Sequence, residues 1–163
     1  MTIDNKTELL EYSGIGGWLL LFTITAIIRP IYMAYETYST FSTSLTEDTW
    51  YALTSPSSPV YHVLWKPTII FELVANIISV LLALTALFLL FKKSRFFIKM
   101  WSFSVIMSIL FMVIDMILCN QIPALGNETF EVLVQNLFKN IGYLTIWGTY
   151  LLKSQRVKNT FIR

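Results

Sequence analysis

Apolar residues in this chain come in four long blocks separated by short polar stretches. The clearest block, Thr68 to Phe91, reads TIIFELVANIISVLLALTALFLLF and holds one charged residue, Glu72. An apolar run of this length predicts a membrane-crossing helix. Within it Glu72, Asn76, Ser79, Ala83 and Ala86 recur at helical spacing, so the polar and small positions share one face. A helix surrounded by lipid would carry no such stripe. This one is expected to pack against other helices with the Glu72 carboxyl turned inward.

The first block opens at Gly14-Ile15-Gly16-Gly17-Trp18 and runs to about Tyr35. Its glycines are not a phosphate-binding loop, because no strand precedes them and the spacing is wrong. Pro30 removes a backbone donor and predicts a bend near Arg29. Residues 36–66 are rich in Ser, Thr and aromatics and predict an ordered loop lying on the membrane surface. Ser44 and Glu47 have capping-box spacing, so a short helix is expected over Leu45 to Leu53. The third block spans Ile98 to Cys119, with Ser104, Ser108, Asp115 and Cys119 on one face. The fourth runs from Phe130 to Leu152, with Gln135, Lys139, Gly142 and Thr149 assigned to a common face. The expected fold is an all-α integral membrane four-helix bundle, antiparallel and up-down, in one domain. Its helices are expected near 15–35, 68–91, 98–119 and 130–152, with a basic tail at 153–163.

Composition supports this class. Of 163 residues 55% are hydrophobic and only 13% charged, well below the quarter charged of a soluble domain. The net charge of +2 would suggest nucleic acid in a soluble protein. Here the basic residues bracket apolar blocks and read as topology signals, with no nucleic-acid partner expected. The turn 92–99 holds four Lys or Arg and so does the tail 153–163, whereas the opposite loops hold only Lys66. Both termini are therefore expected in the cytoplasm, with the basic turn and tail against anionic lipid head groups, worth about 1 kcal/mol per residue. Trp18, Trp101 and Trp147 lie near the same end, where an interfacial aromatic belt belongs. The N-terminus lacks the pattern of a cleaved signal, so the first block is expected to remain.

Depth gives the candidate site. Arg29, Glu72, Asp115 and Lys139 lie one per helix, each at most about 10 Å from the outer surface at 1.5 Å per residue. A lone charge in lipid costs from about 3 kcal/mol upward. Clustering lowers that cost through pairing, so a polar layer is expected, completed by Asn76 and Gln135. The layer either sets which helix sits beside which, or lines a cavity for an ion, a proton or a polar head group. The first role is favoured, because four helices are expected to enclose little volume.

Enzyme chemistry finds little support. His62 is the sole histidine and Cys119 the sole cysteine, which excludes histidine-pair and cysteine-cluster metal sites and an internal disulfide. Cys119 has no identifiable activating partner, and the serines of the third block sit in no nucleophile elbow. No catalytic residue, metal or cofactor is expected. A binding role, toward lipid or a membrane protein, fits better than catalysis, and ion or polar-solute transport is the alternative.

The order of residues near the two ends carries one more signal. The opening Gly14-Ile15-Gly16-Gly17-Trp18-Leu19, the Trp147-x-x-Tyr150 pair and the tail Ser154-x-Arg156-Val157-Lys158-x-Thr160-Phe161 resemble the bacterial membrane family catalogued as domain of unknown function 2569. Trp65-Lys66-Pro67 leading to Phe71-Glu72 and Asn76 is similar too, as is Phe91-Lys92-Lys93 before Arg95-Phe96-Phe97. The resemblance covers nearly the whole chain and implies four membrane helices in a bacterial cytoplasmic membrane. It supplies no catalytic residues. Ile98-Lys99 stands where that family usually has a proline after the basic turn. If both motifs share one face, Gly16 and Gly17 are expected to let Arg156 and Lys158 approach the first helix.

Overall fold

The computed structural model describes residues 14–161. The segment before Gly14 lies outside these residues, as does the end of the tail. Every regular element described is helical. Four are long: α1 (Trp18–Ser44), α3 (Trp65–Phe91), α4 (Phe97–Cys119) and α5 (Gly126–Lys153). Two are short: α2 (Glu47–Thr54) and α6 (Gln155–Thr160). A 3-10 turn at Pro123–Leu125 leads into α5. Helix α1 packs on α3, α3 on α4 and α4 on α5.

Three of these, α1, α3 and α4, are long and apolar enough to cross a membrane. At 27 residues, α1 and α3 each span about 40 Å. Helix α5 is equally long but carries more polar side chains and falls outside that group. The apolar surface agrees with a lipid environment, since Ile70, Val74, Ile77, Leu81, Leu84 and Phe88 of α3 are all exposed. Water would penalise such a surface, whereas lipid does not.

Helix α1 differs from expectation in running on to Ser44, nine residues past Tyr35, with Pro30 buried inside it. Ser and Thr hydroxyls help hold the extension, Thr37 donating to the Met33 carbonyl at 2.7 Å and Ser44 to that of Thr40 at 2.9 Å. Ser44 is thus an end residue of α1. The short helix begins behind Thr46, whose hydroxyl bonds that of Thr49 rather than a backbone amide. The loop that follows is ordered by Trp65, whose indole N–H donates to the Val60 carbonyl at 3.0 Å.

The densest packing lies where the two described chain ends meet. Leu19 and Phe22 of α1, Leu90 of α3, Phe97 of α4, Leu151 of α5 and Val157 of α6 are all essentially inaccessible. Phe22 sits at the centre, edge-on to Phe97, Trp101 and Trp147 at 5.9, 5.5 and 5.3 Å. These are favourable edge-to-face separations. Two of the three expected belt tryptophans are therefore core residues. Trp101 is buried and Trp147 packs against the core, because each lies on the inward face of its helix. Trp18 remains on the surface, 68% exposed.

Candidate functional site

The opposite half of the long helices is hollow. A cavity of about 570 Å³ lies between α1, α3, α4 and α5. That volume is in the range of small-ligand pockets and overturns the expectation that four helices leave little space. Helix α1 contributes Arg29, Tyr32 and Glu36, and α3 contributes Glu72, Asn76 and Ser79. Ser108 and Asp115 come from α4, and Asn136, Lys139 and Asn140 from α5. The spacing of Glu72, Asn76 and Ser79 places them on the α3 face that turns inward, with Ser79 buried. Ser108 and Asp115 reach the cavity by the same rule on α4.

Arg29, Glu72, Asp115 and Lys139 all line this one space, with Asn76. Their partners are not the expected acid–base pairs. The Arg29 guanidinium donates to Asn140 Oδ1 at 2.6 Å and lies over the Tyr143 ring, 4.6 Å from its centre. Asn140 in turn donates to the Asn136 carbonyl at 2.9 Å, which fixes its amide. Lys139 is exposed and donates to Asn136 Oδ1 at 3.3 Å. Asp115 accepts a long contact from the Cys119 thiol at 3.8 Å. An amide and an aromatic face thus hold the arginine, and the carboxylates of Glu72 and Asp115 face the cavity.

Gln135 is exposed and does not line the cavity. Of the expected α5 face, Gln135, Lys139, Gly142 and Thr149, only Lys139 lines the cavity. The inward stripe of α5 is Leu133, Asn136, Asn140, Tyr143 and Trp147, at steps of three and four. Two aromatics on one stripe gain more from burial than Gly142 and Thr149 on the other, and this sets the rotation of the helix. Glu36 also lines the cavity, one residue past the expected helix end at Tyr35. It follows Arg29 by seven residues on one continuous helix, a spacing that puts both on the same face. With Glu36, whose carboxylate accepts from Tyr32, the lining holds three carboxylates and two cations.

The cavity stops at Arg29. A void of only about 20 Å³ lies beyond it, lined by Ala83, Ala86, Trp101 and Tyr143 among others. Past that void comes the Phe22 cluster. The polar space is therefore blind toward the chain ends.

The terminal motif residues close that blind end. The Gly14 N–H donates to the Thr160 hydroxyl at 2.9 Å, and that hydroxyl lies 2.7 Å from the Arg156 carbonyl. Ser154 caps α6 by accepting from the Val157 N–H. Phe161 stacks on Phe97 at 4.7 Å. A methyl group at Gly16 would sit 2.7 Å from Arg156 Nη1, so glycine there does admit the guanidinium. Lys158 is exposed, and a side chain at Gly17 would meet nothing within 4 Å. Gly17 is needed instead for its backbone, with φ +56° and ψ −134° directly before α1. Trp18 stands outside this contact, on the surface.

Three apolar helices of membrane length, which together with α5 line a polar cavity, are consistent with a helical multi-pass membrane protein. The chain belongs to the family described as protein of unknown function (DUF2569), whose model matches residues 12–162. No curated protein and no solved structure matches it.

Proposed function

We propose that this is a small non-enzymatic binding protein of the bacterial cytoplasmic membrane that holds a polar or amphipathic ligand, or the polar group of a membrane partner, in the cavity around Glu72 and Asp115. The observation that carries this reading is the blind shape of the cavity: ionisable groups from all four long helices surround a space that packed aromatics close at one end. A binding site needs one opening, whereas a transport path needs two.

The same reading makes α5 a fourth crossing and the bundle up-down. The Gly14–Thr160 hydrogen bond, which joins the two described chain ends, supports this reading, since an even number of crossings returns a chain to the side where it began. With three apolar helices of membrane length, α5 is the candidate for the fourth passage. The positive residues of the 92–99 turn and the tail then put both termini in the cytoplasm, against anionic head groups, and the cavity in the outer leaflet. Transport or sensing of an ion or polar solute is the second reading, favoured by the five charged groups on the cavity wall.

Thiol accessibility tests both readings. In a Cys119→Ser background, Asn76→Cys is expected to react with a membrane-impermeant reagent added outside. Ala86→Cys, among the packed residues, is expected to stay unreactive from either side. Reaction at both positions, or at Asn76 from the cytoplasmic side alone, would overturn the blind outer-leaflet site.

A further inference from the structure

An apolar groove of about 510 Å³ lies between α1 and α3, two of the four helices that line the polar cavity. Its walls include Ala34, Tyr38 and Phe41 of α1 and Leu73, Ile77 and Val80 of α3. On α3 the groove residues alternate with the cavity residues Glu72, Asn76 and Ser79, so the two spaces use neighbouring stripes of one helix. They meet at Thr37, which lines both. The hydroxyls of Thr37 and Ser42 bond back to the carbonyls of Met33 and Ser39, so there the groove presents carbon. A charged compartment and a hydrocarbon one therefore lie side by side, with Thr37 on their common border.

We infer that the occupant is a phospholipid of the surrounding bilayer bearing a primary amine on its phosphate head group, with one acyl chain in the groove and the head group in the cavity. This rests on the binding reading above and names its ligand class. The chain alone cannot select the ligand, because a tail leaving lipid for an apolar groove gains little. Selection falls to the head group. The cavity lining holds both signs of charge, with three carboxylates against two cations. A primary ammonium carries three donors, which match Glu72, Asp115 and Asn76. A phosphate matches Lys139, exposed at the cavity wall. Tyr32, Phe71 and Phe111 also line the space, but a quaternary ammonium has no N–H to donate and would leave Glu72, Asp115 and Asn76 without hydrogen bonds.

The experiment uses the full chain, purified in mild detergent and examined by native mass spectrometry and by titration in nanodiscs. A phosphoethanolamine lipid is expected to bind one per chain, about tenfold tighter than the phosphocholine lipid with the same tails. The double variant Glu72→Gln, Asp115→Asn should erase that preference. Ala34→Trp, which fills the groove from an exposed wall, should weaken the lipid about tenfold while leaving soluble glycerophosphoethanolamine unaffected. Equal binding of both lipids, or no effect of Ala34→Trp, would overturn the lipid assignment. If the soluble head group binds in those cases, the polar-ligand reading survives alone. If neither lipid nor head group binds and Asn76→Cys does not react from outside, both fall.

Discussion

The two ends of this molecule are built from the same four long helices and differ in what stands between them. At the end where the two described chain ends meet, Phe22, Phe97, Trp101 and Trp147 fill the space, and α6 with Phe161 seals it. Near the interhelical loops, a cavity of about 570 Å³ replaces that packing. Aromatic rings at one end hold the helices at contact distance. The amides and carboxylates at the other leave them apart. Packing is thus concentrated in one half and open polar space in the other, a division that suits the proposed binding role.

The sharpest way to break this comparison is to remove the seal. Deleting residues 154–163 takes away Val157, Phe161 and the Gly14–Thr160 bond. The expected loss is at least the roughly 3–5 kcal/mol of one large buried side chain, read as failure to purify a monodisperse protein or as a collapsed unfolding midpoint. Phe22→Ala comes next, at about 3–5 kcal/mol, because its ring contacts three aromatics and cannot be replaced by relaxation of one neighbour. A loss below about 1 kcal/mol would mean that the aromatic end does not hold the fold.

The glycines at the opening sharpen the same contrast. Gly17→Ala forces a side chain into a backbone conformation that only glycine adopts easily, at a cost of about 1–3 kcal/mol. Gly16→Ala is expected to cost less, about 1 kcal/mol or under, since the atom in its way is the end of a flexible arginine side chain. Unfolding of both variants under one set of conditions checks the order, and a reversal would show that Arg156 is rigidly held. In the hollow half, Glu72→Gln is expected to change stability by no more than about 1 kcal/mol while altering occupancy of the proposed site, because among the described residues no cation is paired with Glu72. Tyr143→Phe is expected to have the smallest effect. Its hydroxyl is buried without a hydrogen-bond partner among the described residues, so removal should be neutral or slightly stabilising. The ring that carries Arg29 is retained.

Much of this architecture was legible along the chain, and the limits of that legibility are physical. The stripe through Glu72, Asn76 and Ser79 announced an inward face, because lipid tolerates apolar residues at every position and polar ones at few. The same logic failed on α5, where two stripes one residue apart both carry polar side chains. Asn136 and Asn140 share theirs with Tyr143 and Trp147, and aromatic burial against Phe22 decided which stripe turned inward. The end of α1 is not legible in the sequence, because its Ser- and Thr-rich continuation resembles a loop. In the fold those hydroxyls bond to the helix's own carbonyls. The tryptophans misled for a related reason: indole suits an interface and a core equally well, and only the neighbouring helix distinguishes them.

The sequence by itself determined that long apolar helices dominate the chain, that some of their charges face one another, and that the two end motifs belong together. Hydrophobic periodicity carries that information because it records which side of a helix avoids lipid. Only the tertiary structure decided that Arg29 is held by an amide and a ring, that Glu36 joins the site, and that one half of the bundle is packed while the other is open. Those outcomes depend on the distance between facing helices. That distance is set by the side chains of all of them together and cannot be read from any one.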